Sequence, residues 1–373
     1  MKTIRRLIYK EIFAASAFVL LGFLALFFFF DVVDELSSVG RPAVDKPGLV
    51  YGLGHALLYV ALQMPNRIYE LLPITVLIGS IVVLARMANT SEYTILRTSG
   101  LDPWRALGMM LGLGLVFVVL TFVTGDYIAP ASDRAAQLLK ARFRGQISVG
   151  HTGAWLKERQ TYFNHFVNVG RLDSDGQLGN IRIFTFDAEG RLAATLRASR
   201  GQIDADSGTW IMHDVQRRII QGVEVGGTRV TYQHIPRYQW KSSITAEMIS
   251  VALLKPDRMR TTDLFAYSQH LAANNQSTLR YDIEFWRKVF YPLSCLVMVV
   301  LALPFAYMHF RTGGTTGYVF GGVMIGISFF LLNNVFGYIG NLHQWQPWAA
   351  AAAPALIYSV LSLSAFGWMV LRR

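Results

Sequence analysis

Ile181-Arg182-Ile183-Phe184-Thr185-Phe186 alternates at period two, the pattern of a β-strand that buries one face. The same alternation recurs through residues 161–169, 193–203, 210–219 and 229–238. Turn-forming clusters separate these runs: Asp173-Ser174-Asp175-Gly176, Ala188-Glu189-Gly190, Asp204-Ala205-Asp206-Ser207-Gly208 and Gly226-Gly227. Many short strands at this spacing predict an all-β sandwich or open roll. Two of the turns have the look of calcium loops but lack a bidentate glutamate at the right distance, so they read as Asx turns and no metal site is expected.

The strands lie in a hydrophilic block, residues 131–263, and what flanks it decides the class. A bilayer core needs about 20 apolar residues in a helix. Residues 12–33 supply one, with a Phe27-Phe28-Phe29-Phe30 run near the far end. Residues 56–85 form a longer stretch interrupted by Pro65, Arg67 and Glu70, read as an interfacial helix followed by a span over 68–85. Residues 106–123, 289–308, 318–336 and 349–370 complete six spans. The expected fold is therefore a membrane α-helical protein with an inserted all-β domain: residues 1–130 hold three spans, 131–263 an extracytoplasmic domain, and 264–373 three more.

Composition agrees. The 373-residue chain is 53% hydrophobic with a mean hydropathy of +0.34, too apolar for an ordinary soluble protein. Its net charge of +11 is scattered through short loops and the polar block, which fits membrane topology and anionic lipid and gives no case for a nucleic-acid partner. The single cysteine, Cys295, falls inside a span, so the extramembrane domain folds without disulfides. Lys2, Arg5, Arg6 and Lys10 precede the first span, and Arg86, Arg97, Arg105, Arg311, Arg372 and Arg373 fall on the same side. One topology puts every cluster in the cytoplasm, with both termini inside and the β-domain outside.

Catalytic signatures are missing. There is no GxxxxGK[ST], HExxH or GxSxG and no histidine pair at metal-ligand spacing. Charges deep in the spans are nearly absent, against an ion relay. No enzyme activity, cofactor or catalytic residue is expected in this chain. Glycines at small-xxx-small spacing, Gly108/Gly112, Gly317/Gly321 and Gly322/Gly326, mark possible helix-packing seams. The basic stretch 129–144, with Arg134, Lys140, Arg142 and Arg144, reads as a helix joining span to sheet. Its cations either snorkel to headgroups or meet a phosphorylated substrate.

The loop from Arg86 to Trp104 holds a capped amphipathic helix near residues 88–100. Asn89 and Glu92 suggest a capping box, Gly100 suits a C′ position, and Asp102-Pro103 restarts the next helix. Such a helix either docks onto a soluble motor or is a plain connector. On these features alone, the chain is a membrane protein with an extracytoplasmic β-domain and a cytoplasmic partner.

Further motifs add a resemblance. Ser91-Glu92 with Ser99-Gly100, Gly125-Asp126-Tyr127-Ile128-Ala129-Pro130, Gly153-Ala154-Trp155-Leu156-Lys157, Phe285-Trp286-Arg287-Lys288, Gly326-Ile327-Ser328-Phe329 and Phe336-Gly337 follow in this order. In that order the whole chain resembles the LptF/LptG permeases of lipopolysaccharide export, nearer the LptG branch. The resemblance implies a β-jelly-roll-like periplasmic domain and residence in the bacterial inner membrane. It implies an LptF-like paralogous permease, an LptB-like ATPase dimer that carries the ATP and magnesium, an LptC-like single-span protein, and lipopolysaccharide as cargo. Glu92, Tyr93, Leu96 and Gly100 are then the ATPase-coupling residues. Lys140, Arg134, Arg41, Asp34, Phe27 and Phe30 are the candidate substrate contacts. One departure stands out: the resemblance implies lysines just beyond the first span, where this chain has Ser37 and Ser38, and one near Asp31, whereas Asp31, Asp34 and Glu35 are acidic here and only Arg41 is basic. Divalent cations bridging carboxylate to lipid phosphate are one way to reconcile this. The competing reading is a tether or sensor that presents a β-domain without transporting anything.

Overall fold

The computed structural model describes residues 2–42, 50–144, 154–172, 176–204, 207–223, 227–246, 248–249, 256–307 and 315–371. Gly153, Met308, Arg311, Arg372, Arg373 and the turn residues 173–175, 205–206 and 226 lie outside them, as do the side chains of Arg142 and Arg144. The chain forms two compact units. One comprises Met1–Ser37, Val60–Asp133 and Leu279–Arg373, the other Ser38–Tyr59 and Arg134–Thr278.

In the first unit, α1 (Lys2–Leu36), α2 (Leu53–Asn89) and α4 (Pro103–Val123) precede the sheet, with the short α3 (Glu92–Thr98) between α2 and α4. A π-helical turn, Thr124–Ile128, joins α4 to α5 (Ala129–Arg144). After the sheet come α6 (Thr261–Ala273), which falls in the second unit, and then, in the first, α7 (Leu279–Phe290), α8 (Leu293–Ala302) with a 3-10 extension to Tyr307, α9 (Thr315–Leu342) and α10 (Pro347–Leu371). Among the described residues, five helices are long and apolar enough to cross a bilayer, and six if the pair Leu279–Phe290 and Leu293–Tyr307, bent by 47°, is one span. The bend falls at Tyr291-Pro292, where proline removes a helical donor.

The expected break between an interfacial helix and the second span does not occur. Leu53–Asn89 is one helix through Pro65 and Pro73. At about 1.5 Å per residue its length is about 55 Å, well beyond the hydrocarbon core. Proline is tolerated inside such helices because neighbouring helices satisfy the freed carbonyls. The core of this unit is built on α2, whose Leu72, Val76, Leu77, Ile81 and Leu84 are buried with Met110, Leu113 and Met298. By contrast α1 leaves Phe18, Leu21, Leu26, Phe29 and Phe30 uncovered, a face that only lipid or a second protein would shield.

The second unit is a single antiparallel sheet in the order β1-β2-β3-β4-β5-β6: Ala154–Arg159, Asn164–Leu172, Leu178–Phe186, Leu192–Asp204, Thr209–Val223 and Gly227–Lys241. Every described strand pairs with its sequence neighbour, so the order is a meander without Greek-key crossovers. Register carries one apolar stripe across five junctions: Ala154 faces Val169, then Ile181, Ala198, Val215 and Ile235. Trp210, fully buried, donates from Nε1 to the Ile244 carbonyl at 3.0 Å. Pro236 sits in β6, an edge strand, where its missing N–H leaves no gap in a ladder.

His165 is buried between Thr185 Oγ1 at 3.0 Å and Gln160 Oε1 at 3.2 Å. Burial pushes its pKa down, and Glu158 offsets that only in part; His270 is held down for the same reason. A depressed imidazole gives stability that is complete above the unfolded pKa of about 6.5 and is lost as pH falls through the lower folded value. The sheet is therefore expected to lose protection against hydrogen exchange as pH drops from 7.5 to 5.5, and His165→Gln should flatten part of that slope. Protection that stays constant or rises on acidification contradicts this.

Candidate functional site

The segment between α2 and α4, expected to couple to a motor, is built by local backbone devices. Asp102, in extended conformation, accepts from the Trp104 N–H at 3.2 Å with Pro103 at the first helical position. Gly100, at φ +98°, closes a Schellman motif: its N–H bonds the Arg97 carbonyl at 3.0 Å and the Leu101 N–H bonds that of Leu96 at 3.1 Å. The expected Asn89–Glu92 capping box does not form. Ser91 occupies the N-cap position in a left-handed conformation with no side-chain cap, and Glu92 opens the helix. The chain must turn sharply between Asn89 and Glu92, which leaves no room for the reciprocal box.

The faces of α3 divide sharply. Tyr93 is buried, its ring 5.2 Å from that of Tyr307 at the end of the bent span, and Arg97 lies 5.1 Å over the same Tyr307 ring. Leu96 packs half-buried against the core. Glu92, Ile95 and Ser99 face outward on one side, with Ile95 61% exposed and Trp104 67% exposed just beyond. So Tyr93 and Leu96 join the helix to the spans, and the outward face is Glu92 with Ile95. Ile95 went unrecognised in the sequence because an apolar residue in an amphipathic helix reads as inward-facing.

A second cluster lies among the spans. Arg67 of α2 makes a two-pronged ion pair with Asp31 of α1, at 3.1 and 3.4 Å, and stands 3.6 Å from Glu70. Its guanidinium also covers the Phe27 ring at 5.0 Å. Asp31 is thus balanced within the chain by a cation from the next helix. Phe30 is exposed and meets Phe29, not this cluster. Asp34 is exposed, and its carbonyl accepts from Ser37 Oγ at 2.9 Å.

Nearby, two motifs that were separate in the sequence meet. Lys288 is 7% exposed and donates from Nζ to the Gly125 carbonyl at 3.0 Å. A π-turn widens the helix at Thr124–Ile128, and such turns leave a carbonyl without its usual helical donor. A Cβ on Gly125 would overlap the Tyr69 ring, and the Tyr291 hydroxyl donates to the Glu70 carbonyl at 2.6 Å. No local pattern signals this meeting.

In the second unit, Arg134 pairs with Asp263 at 2.5 Å, which ties α5 to α6. Lys140 places its ammonium 4.1 Å from the Tyr59 ring centroid. Arg41 is exposed, its carbonyl accepting from the Tyr51 N–H at 2.8 Å. Tyr51 and Phe143 stack edge-on at 5.0 Å in a small buried cluster. Of the candidate substrate residues, Phe27, Phe30 and Asp34 thus belong to the first unit and Arg41, Arg134 and Lys140 to the second. Among the described residues, no three His, Cys, Asp or Glu side chains are grouped to hold a metal ion.

Long apolar helices before and after a β-sheet in the chain, with a short helix presenting Glu92, match a known architecture from end to end. The model of the lipopolysaccharide export system permease LptF/LptG matches residues 6–372. The chain belongs to the LptF/LptG family. It is 26% identical over 373 residues to the lipopolysaccharide export system permease protein LptG of Haemophilus influenzae, covering 100% of this chain and 99% of that protein. The LptG of Escherichia coli K12 is 25% identical over 370 residues, 99% of this chain and 98% of its own. As a member of the LptF/LptG family the chain is a multi-pass membrane permease.

Proposed function

We propose that this chain is one permease half of an ATP-driven complex that draws lipopolysaccharide from the outer leaflet of the inner membrane and delivers it to a periplasmic bridge. The observation that carries this reading is the division of α3: Glu92 and Ile95 face outward, while Tyr93 locks the helix to the Tyr307 end of a span. Movement imposed on the outward face reaches the membrane helices through a buried aromatic contact, which a static tether has no use for. An LptB-like ATPase dimer would grip that face. An LptF-like permease would cover the open side of α1, and an LptC-like protein would meet the β-sheet. Both termini and α3 are cytoplasmic and the sheet periplasmic in this reading, supported by the basic clusters before α1 and between α2 and α4.

Extraction is costly because each methylene lifted from hydrocarbon loses about 0.8 kcal/mol. Exposed Phe29 and Phe30 on α1 offer apolar contacts that replace part of this as chains leave the bilayer. Lys140 and Arg41 supply positive charge for phosphate, while Arg134 holds α5 in place through Asp263.

Arg67 is the basic group paired with Asp31 near the acidic end of α1. Asp31→Asn should release it toward lipid phosphate and raise lipopolysaccharide retention by about threefold, the scale of a partly exposed ion pair, with no dependence on magnesium. Weaker retention that appears only in magnesium would instead support bridging cations.

The proposal as a whole is tested by purifying the tagged chain from its native membrane in mild detergent and identifying what it retains. An ATPase, a paralogous six-span partner and lipopolysaccharide are expected. The chain alone, or with envelope proteins and no ATPase, would point to a tether.

A further inference from the structure

Beside the coupling helix lies a cavity of about 420 Å³ walled by three elements: α1, α3 with the turn after it, and the start of α4. Arg5 and Arg105 stand at it, both exposed, and among the described residues neither has a carboxylate partner. Arg5 lies 6.0 Å from the Tyr9 ring centroid, and Tyr9 is itself fixed by a 2.7 Å bond from its hydroxyl to the Met109 carbonyl. Leu96, Leu101 and Met109 make the wall apolar. Gly108 leaves the space open, because a Cβ built there meets no atom within 4 Å.

Two unpaired guanidinium groups beside an apolar wall match an anionic head with hydrocarbon attached. The volume falls in the range of sites that enclose a small ligand, enough for a phosphate, its glycerol and the first methylenes. Arginine suits phosphate because its planar fork can donate two parallel hydrogen bonds. A carboxylate from a protein partner would use the cations but not the apolar wall. We infer that this cavity binds an anionic glycerophospholipid of the cytoplasmic leaflet, its phosphate between Arg5 and Arg105 and its first methylenes against Leu96 and Leu101. The inference rests on the orientation given above, in which this end of α1 and α4 meets the negatively charged leaflet. One wall is α3 itself, through Leu96 and Ser99, so an occupied cavity braces α3 beside the exposed Glu92–Ile95 face.

The full chain in detergent, titrated with phosphatidylglycerol or phosphatidylethanolamine and read by native mass spectrometry, tests this. Phosphatidylglycerol is expected to bind about tenfold more tightly or better, as two cations near a phosphate imply. Arg5→Gln with Arg105→Gln should abolish the preference. Gly108→Leu keeps both arginines but fills the cavity, and should weaken phosphatidylglycerol at least about fivefold, a scale set by one lost apolar contact. Its unchanged melting temperature would show the fold intact. Equal binding of the two lipids, or full binding by Gly108→Leu, overturns the inference. Displacement by millimolar inorganic phosphate would mark a free-anion site and overturn the lipid assignment. A double variant that keeps its lipid preference but no longer co-purifies with an ATPase would assign the arginines to a protein contact, also against the inference. Labelling of Ser99→Cys by an impermeant maleimide separates the two levels of argument. Reaction from the outer face would break the orientation itself, whatever the lipid result.

Discussion

Glu92→Lys is expected to leave the protein folded and stop export. Glu92 is exposed and makes no contact that the fold needs, whereas the neighbouring Tyr93 and Leu96 keep α3 seated. The substitution places a cation at a helix N-terminus, a local cost of under about 1 kcal/mol. In the proposed complex, reversing a charge at the ATPase contact costs about 2–5 kcal/mol, a loss of thirtyfold or more in docking. The measurement is paired: recovery of the ATPase on the purified chain, and release of lipopolysaccharide from proteoliposomes with ATP. Loss of both at an unchanged melting temperature is the expected result. Export at the wild-type rate would remove Glu92 from the coupling face, and a melting temperature that falls sharply would make it a structural residue.

The second large effect lies in the membrane. Gly79→Val should prevent the folded protein from accumulating. A Cβ on Gly79 would come within 2.6 Å of the Ser16 backbone nitrogen and 2.7 Å of its Cα. Those are main-chain atoms of α1, so no rotamer change relieves the overlap and the helices must part. Forcing bulk into such a contact costs about 3 kcal/mol or more. Ser16 is itself buried, in a helix that otherwise exposes much of its surface, so this crossing is a principal anchor of α1 on α2. Gly317→Ala is the control, since nothing lies within 4 Å of a Cβ there. Normal accumulation and an unchanged melting temperature for Gly79→Val would refute the close approach.

That contrast shows what local pattern can and cannot convey. Small-xxx-small spacing picked out Gly322 and Gly326, whose added Cβ atoms would meet Ile81 and Ile74 of α2 at 2.6 and 2.9 Å. The same spacing also picked out Gly108, Gly317 and Gly321, which face open space. Gly79 has no glycine four positions away and was invisible to a glycine-pair search, because close approach depends on the partner helix. Strand positions were legible, since alternation is fixed by the pleat and survives any tertiary arrangement: the runs at 181–186 and 193–203 fall inside Leu178–Phe186 and Leu192–Asp204. Gly100 and Asp102-Pro103 were legible for a similar reason, as each satisfies backbone groups within a few residues. The contacts Lys288–Gly125 and Arg67–Asp31 join residues 163 and 36 positions apart, and spacing encodes neither. Tyr93, one of the expected coupling residues, is buried, which the sequence could not show, because a seven-residue helix is too short for its apolar moment to fix which side is buried.

The strand order of the sheet bears on biogenesis. Each described strand pairs with the one made just before it, and all six end at Lys241, some fifty residues ahead of Leu293. Nearest-neighbour pairing keeps sequence separation short, which favours rapid folding. The sheet can therefore assemble hairpin by hairpin as the polypeptide leaves the translocon, with no thiol chemistry and no strand waiting for a distant mate. In the orientation proposed above, all six strands have been made before the fourth span and can stand outside the membrane as a folded sheet. That domain opposes backsliding of the chain and sets the direction in which the remaining helices must insert.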